Sequence, residues 1–333
     1  MPDPIFIVGY MHSGTTLLQN ILARHPDLFA PRGETKYFEF LPEARRRYPD
    51  LSEEGQRRAL AAAIYAAVQG RNPLTGLARR DPQPPPDDLL ERAGRSPVRD
   101  HGAFFGMVCD HLAGQAGQSR WLEKTPTHVY HMAAIRAAIP DARFVQIVRD
   151  PRDVLASKKT RRQTINDRYH ESVRQRKHFE KAYDPLWDAL AWRSAARAGQ
   201  SAEVTVHYEE LVTQPEATVQ AVCGALALSY TPALLEVRAA NPAEWQRTGT
   251  QGISAASVGR WRRVLSPPEV ALIQTVTRGW GYAPEPTGGW PLVPVLLVRS
   301  GGEFFVRLYR RFRLGGGRFL MSVLRRYAER LRP

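Results

Sequence analysis

The stretch Ile5-Phe6-Ile7-Val8-Gly9-Tyr10-Met11-His12-Ser13-Gly14-Thr15-Thr16 constrains the fold of this chain more tightly than any other part of it. The apolar run Ile5–Val8 predicts a strand, and the spacing from Thr15 to about Arg24 predicts a helix. Between them Gly9 and Gly14 stand in the spacing G-x-x-x-x-G. A turn in that context suits an oxyanion: Gly14 lets the backbone approach closely, the amides of residues 13 to 17 form a concave nest, and the helix N-terminus adds positive potential. The competing reading is a strand-to-helix turn without a ligand, and Ser-Gly-Thr-Thr at this place weighs against it. Thr15 occupies the position where a nucleoside triphosphatase carries its lysine, which disfavours ordinary ATP chemistry.

The alternation recurs along the chain. Phe144–Val148 precedes a helix from about Arg152, and Val204–His207 precedes another near Pro215. Strand and helix in turn argue for an α/β fold with a parallel sheet wrapped by helices. The stretch from Arg71 to Pro97, with Pro82 and Pro84-Pro85-Pro86, reads as a surface loop inside one domain spanning residues 1–289. No internal repeat is visible. Residues 290–333 differ in kind, with ten arginines against Glu303 and Glu329 and with Phe304, Phe305, Leu308, Tyr309 and Phe312 at helical spacing. That pattern predicts an appended basic amphipathic helical tail.

At the second junction, Ile147-Val148-Arg149-Asp150-Pro151-Arg152-Asp153-Val154-Leu155-Ala156-Ser157, Arg149 ends a strand and Ser157 follows about two helical turns later. A planar guanidinium fork and a hydroxyl donor so placed suit one dianion. The alternative is a salt-bridged helix start, for which Arg-Asp-Pro-Arg-Asp also serves.

A net charge of +14 on 333 residues points to an anionic partner, phosphate, sulfate, nucleic acid or an anionic membrane surface, without choosing among them. No base-reading module accompanies the charge, so nucleic acid is not expected. Cys109 and Cys223 lack metal-ligand spacing and read as buried free thiols. The N-terminal run lacks a cationic flank and a cleavage site, and Leu292–Val298 is too short to span a bilayer, so a cytoplasmic chain is expected. The tail makes peripheral contact with the inner membrane surface a further expectation.

The two junctions together resemble those of the PAPS-dependent sulfotransferases, which move a sulfuryl group from 3′-phosphoadenosine 5′-phosphosulfate (PAPS) to an acceptor and release PAP. The resemblance covers roughly residues 4 to 285, strongly at the two motifs and loosely elsewhere. It implies a P-loop NTPase-like sheet, a bacterial-type enzyme, and transfer by in-line displacement to a hydroxyl, less readily an amine. No metal is required. The implied 5′-phosphosulfate ligands are His12, Ser13, Gly14, Thr15, Thr16 and Leu17, with His12 where most members carry Lys or Arg. Because only an imidazolium would neutralise the bridging oxygen, activity is expected to fall towards alkaline pH. Arg149 and Ser157 match the 3′-phosphate positions, and Arg161 resembles a third contact.

Tyr208, in Val206-His207-Tyr208-Glu209-Glu210-Leu211, is similar to a residue that packs beside the adenine, although a core tyrosine fits as well. Gly259-Arg260-Trp261-Arg262 resembles the Gly-x-Trp element over the nucleotide. The cytosolic branch has Arg-Lys-Gly in the preceding loop where this chain has Ser254-Ala255-Ala256, leaving Arg260 as the expected cation.

For the chemistry, Glu34 in Gly33-Glu34-Thr35-Lys36-Tyr37-Phe38 resembles the catalytic glutamate of the tyrosylprotein sulfotransferase branch and is the expected base. Desolvation by Tyr37 and Phe38 would raise its pKa, and a surface carboxylate paired with Lys36 is the plain alternative. Lys124, in Trp121-Leu122-Glu123-Lys124-Thr125-Pro126-Thr127-His128, matches a lysine that stabilises charge on the moving group. His128 is a fallback base, with packing at a helix start as the plainer reading. The acceptor expected is a small molecule, a glycan or a lipid-linked group. The alternatives are a small-molecule or nucleotide kinase, and a nucleotide-sensing binding module at a membrane surface.

Overall fold

The computed structural model describes residues 3–31, 33–70, 84–168, 183–237 and 252–287, with residue 294. The predicted tail, residues 290–333, lies outside the described residues apart from position 294. In chain order the elements are β1 (Ile5–Gly9), α1 (Thr15–Leu22), β2 (Leu28–Phe29), α2 (Leu41–Arg47), α3 (Glu54–Val68), α4 (Asp87–Arg95), α5 (His101–Gln115), β3 (Arg120–Lys124) and α6 (Met132–Ala138). They continue with β4 (Arg143–Val148), α7 (Pro151–Arg168), α8 (Pro185–Ala198), β5 (Val204–His207), α9 (Tyr208–Thr213), α10 (Pro215–Ala225) and α11 (Pro267–Val276). Two compact units result, Met1–Val148 with Gly199–Ser254, and Arg149–Ala198 with Ala255–Pro333.

The first unit holds the whole sheet, five parallel strands in the order β2-β3-β1-β4-β5. The fold expectation is met in this sheet and its flanking helices. β1 is central and buried at every residue, as a strand covered on both faces must be. Strand alternation divides its side chains between two layers. Ile5 and Ile7 join Leu17, Leu18, Ile21, Val145, Ile147 and Leu211 in one core. Phe6 points the other way, into aromatic rings, with centroids 5.3 Å from Trp121, 5.4 Å from Phe144 and 6.3 Å from Phe38. Complete burial of a ring of this size stabilises by roughly 2–3 kcal/mol.

Local chemistry adds detail at three places. α1 ends at Leu22, short of Arg24, because the chain tightens there: the Arg24 amide bonds the Ile21 carbonyl at 3.2 Å and the His25 amide bonds Leu22 at 2.9 Å. β5 passes straight into α9 at Tyr208 without a loop. Within the stretch read as a surface loop, Asp87–Arg95 is helical. Asp87 and Asp88 occupy its first turn and Arg92 and Arg95 its last, matching the helix dipole at both ends, while Leu89 and Ala93 are fully buried. Arg57 of α3 donates to the carbonyls of Leu51 at 2.8 Å, Ser52 at 2.7 Å and Ala93 at 3.2 Å, and also to Gly94, so one buried guanidinium satisfies the end of α4.

The second unit is helical in its described part. Lys158 and Lys159 of α7 pair with Asp188 of α8 and Glu269 of α11, and Trp192 of α8 lies 5.8 Å from the Trp280 ring and 6.2 Å from that of Tyr282. Cys109 and Cys223 are both buried and free, in agreement with the sequence reading. No helix among the described residues is long and apolar enough to cross a membrane.

Gly9 ends β1 at φ 151°, and a Cβ there would stand 2.5 Å from the carbonyl oxygen of Ile147 on the neighbouring strand. Gly9→Ala should therefore lower unfolding free energy in urea by about 2–4 kcal/mol. Gly55→Ala in α3, where a Cβ meets nothing within 4 Å, should raise it by at most about 1 kcal/mol. Equal effects would remove the strand-crowding argument.

His131, in the turn Pro126–His131, is pushed down from 6.5 to about 4, chiefly by burial. Between those two values the unfolded chain binds a proton that the folded chain refuses, so stability falls as pH drops through the window. Urea midpoints recorded from pH 7 to 4 should decline less steeply for His131→Gln than for the natural chain.

Candidate active site

Three strands of the first unit deliver their carboxyl ends to one edge of the sheet. Lys124 of β3 is in register with Ile7 of β1, and Gly9 of β1 with Ile147 of β4, which is where ligands bind in open parallel sheets. The loop after β1 turns at Tyr10, whose carbonyl accepts the Ser13 amide at 3.3 Å, and passes through His12 at φ 68°. The Ser13 amide is thus used within the turn and is not part of the nest. Gly14, at φ 102°, opens α1, and the amides of Gly14, Thr15, Thr16 and Leu17 have no acceptor among the described residues. Ser13 is completely buried, and its hydroxyl oxygen has no hydrogen-bond partner there either. Buried polar atoms are rarely left unpaired, and a hydroxyl beside four free helix-start amides is a set of donors for an anion.

Tyr208 supports this loop from below. A Cβ on Gly14 would come within 2.4 Å of its ring, and the tyrosine is 5% exposed in the core of the unit. The absent Cβ is what lets loop and ring meet.

Glu34 and Lys124 stand together. The Lys124 ammonium donates to the Glu34 carboxylate at 3.0 Å, with the lysine side chain 7% exposed and that of the glutamate 37%. Lys124, and not Lys36, is therefore the partner of Glu34. The rings of Tyr37 and Phe38 pack against Phe105, with centroids at 4.6 Å and 5.7 Å.

His128 is fully buried and both ring nitrogens are engaged, Nδ1 at 2.9 Å from Glu123 and Nε2 at 3.3 Å from the Phe38 amide nitrogen. An amide can only donate, so Nε2 accepts and the ring proton sits on Nδ1. This matches the packing reading of His128 and leaves the ring without a free nitrogen. The residues that sequence reasoning passed over are Glu123 and its neighbours. Their one signal was an acid inside a strand, after the apolar pair Trp121-Leu122 and next to the lysine that drew attention instead.

In the second unit, Asp150 starts α7 by accepting the Arg152 amide at 2.8 Å, and the chain places Pro151 at the first helical position. Arg149 donates to the Ser257 carbonyl at 2.6 Å and lies 4.0 Å from Asp153. Asp153 in turn accepts the amides of Gly259 at 2.7 Å and Trp261 at 2.9 Å, which fixes the turn Arg260–Arg263. Burial raises the Asp153 pKa, and Arg149 with the two amides offsets that only in part. Ser157 is half-buried on α7, and Arg161 is exposed one turn further on. Helix-start and anion-site readings of this motif are therefore compatible: Asp150 caps the helix while Arg149 is held by neighbours of Arg260.

A model of the sulfotransferase family matches residues 4–232. The nodulation protein NoeE of Sinorhizobium fredii (strain NBRC 101917 / NGR234) is 25% identical over 297 residues, which cover 83% of this chain; the match spans 63% of that protein's length. Among solved structures, the sulfotransferase domain of the Synechococcus PCC 7002 olefin synthase has a TM-score of 0.50 at 18% identity, covering 85% of this chain and 97% of its own. The sulfotransferase domain from the curacin biosynthetic pathway has a TM-score of 0.52 at 18% identity, covering 86% and 99%. These two share the fold. With more than half its length matched by the family model, and with the strand, loop and helix order to go with it, the chain belongs to the sulfotransferase family.

Proposed function

We propose that this protein transfers a sulfuryl group from PAPS to a hydroxyl on a small-molecule, glycan or lipid-linked acceptor. The observation that carries the reading is the buried, unpartnered Ser13 hydroxyl beside the free amides of Gly14 to Leu17, at the sheet edge that also presents Lys124. These donors fit the 5′-phosphosulfate end of such a nucleotide, and the bare Gly14 gives it room to approach. Bound there, the donor would supply an activated sulfuryl group with PAP as its leaving group.

Lys124 offsets negative charge on the moving group and its departing oxygen. Glu34, 3.0 Å from it, takes the acceptor's hydroxyl proton. Glu34 is preferred to His128 because its carboxylate is partly open to solvent while the histidine ring is fully enclosed. On the resemblance of their motifs, Arg149, Ser157, Arg161 and Arg260 are assigned to the 3′-phosphate, and Tyr208 to supporting the phosphate loop.

Calorimetry should show PAP binding without magnesium and no magnesium-dependent ATP binding; the reverse result would replace the transferase by a kinase. Ser13→Ala should weaken PAP about ten- to a hundredfold, the worth of a hydrogen bond to a charged group. Arg149→Ala should weaken PAP while leaving AMP, which lacks the 3′-phosphate, unaffected.

Glu34→Gln should reduce turnover on the order of 100-fold with PAP affinity within about twofold of the natural chain. Full turnover in that variant would move the base elsewhere.

A further inference from the structure

The Glu123 carboxyl has no exposed surface, yet it lies next to Lys124 in β3 and faces the segment that carries Glu34. Its hydrogen bonds follow a single pattern. The Thr35 amide donates to it directly at 3.2 Å. The next three amides reach it through one intermediary each. Lys36 N–H donates to the Thr125 hydroxyl at 3.1 Å, which donates to Glu123 at 2.6 Å. Tyr37 N–H donates to the Thr35 hydroxyl at 3.3 Å, which donates to Glu123 at 2.8 Å. Phe38 N–H donates to His128 Nε2 at 3.3 Å, and Nδ1–H donates to Glu123 at 2.9 Å.

Four consecutive amides are therefore tied to one carboxylate, and every donor and acceptor in the three relays is used consistently. We propose that Glu123 is the positioning residue of the active site: through Thr35, Thr125 and a neutral His128 it sets the segment bearing Glu34 against the strand bearing Lys124. The inference rests on the reading of Glu34 and Lys124 as catalytic residues.

Three further observations support it. Lys36 is held at φ 53°, a left-handed conformation that strains an ordinary residue and persists only where its surroundings fix it. The Tyr37 hydroxyl donates to the His101 carbonyl at 2.8 Å, which pins the far side of the same segment. Burial alone would push the Glu123 carboxyl up, and His128 with the Thr125 and Thr35 hydroxyls more than offsets that, keeping it below the usual carboxylate range. The acceptor demanded by three relays is thus an ionised one. Because Glu123 and Lys124 are consecutive in a rigid strand, fixing the segment to Glu123 also fixes the separation of Glu34 from Lys124.

The test compares Glu123→Gln, Thr35→Val, Thr35→Ser and Glu34→Gln with the natural chain. PAPS consumption is followed with water and with 2-naphthol as probe acceptors, and PAP affinity by calorimetry. Glu123→Gln and Thr35→Val should lower kcat about ten- to a hundredfold, the effect of a small misplacement at a reacting centre, with PAP affinity within about twofold. Thr35→Ser keeps the hydroxyl and should restore most of the turnover. Nitrogen NMR on histidine-labelled protein should show His128 protonated at Nδ1 and bare at Nε2 at neutral pH.

Full turnover in folded Thr35→Val, a parallel loss of PAP affinity, or a His128 proton on Nε2 would each overturn the proposal. If Glu123→Gln fails to fold, the Val and Ser variants at Thr35 decide. If the natural chain consumes no PAPS, or Glu34→Gln keeps full turnover, the functional reading fails on its own, and the His128 protonation pattern still decides whether the anchor exists.

Discussion

The parallel pairing of β1 with β3 on one side and β4 on the other is the constraint on which the rest of the first unit depends. Because β1 is covered on both faces, its alternating side chains must satisfy two layers at once, Ile5 and Ile7 in the aliphatic core and Phe6 among the rings. That requirement fixes the register, since a slip by one residue would exchange the layers. With the register fixed, the loop after β1 and Lys124 leave adjacent strands at the same edge. Gly9 completes the arrangement by allowing the Ile147 carbonyl to approach where no side chain fits.

What could be read in the sequence was what local pattern encodes. β1, the loop with Gly14 and the helix after it are contiguous, and so are β4, Asp150 and α7; each motif carries its own strand, turn and cap. Lys124 likewise ends a contiguous strand, β3. The partner of Glu34 was not legible, because the plain alternative looked two residues along to Lys36 while the pairing runs ninety residues along to Lys124. The helix Asp87–Arg95 was hidden by the prolines before it, although its own charges follow the dipole at both ends. Glu123 was overlooked because a buried acid is defined by donors from Thr35, Thr125 and His128, which only the folded chain assembles.

Two glutamates in the first unit show how environment separates roles. Glu34 is partly exposed and faces a single ammonium, so its carboxylate can exchange that contact for another. Glu123 is enclosed, and removing any of its donors would strand a buried charge, which costs far more than a surface contact returns. A carboxylate of the first kind suits chemistry, and one of the second kind suits holding a shape. The same logic applies to histidine: His128 accepts from an amide and donates to an acid, so its two contacts select which ring nitrogen carries the proton.

The net charge of +14 pointed to an anionic ligand, but excess charge is a poor map of where that ligand binds. Among the described residues, many cations are occupied in holding the fold. Arg57 and Arg120 donate to main-chain carbonyls, Arg152 pairs with Asp150 and lies 4.4 Å from the Trp261 ring, and Lys158 and Lys159 pair with acids. Arginine suits the first three because its planar fork can serve several acceptors at once and stack on a ring, which an ammonium cannot. The anion site proposed for the first unit rests on the opposite kind of evidence, a neutral hydroxyl and four amides without partners among the described residues. In a protein this basic, unsatisfied neutral donors are the more discriminating signal, because each must be explained while a surplus arginine need not be.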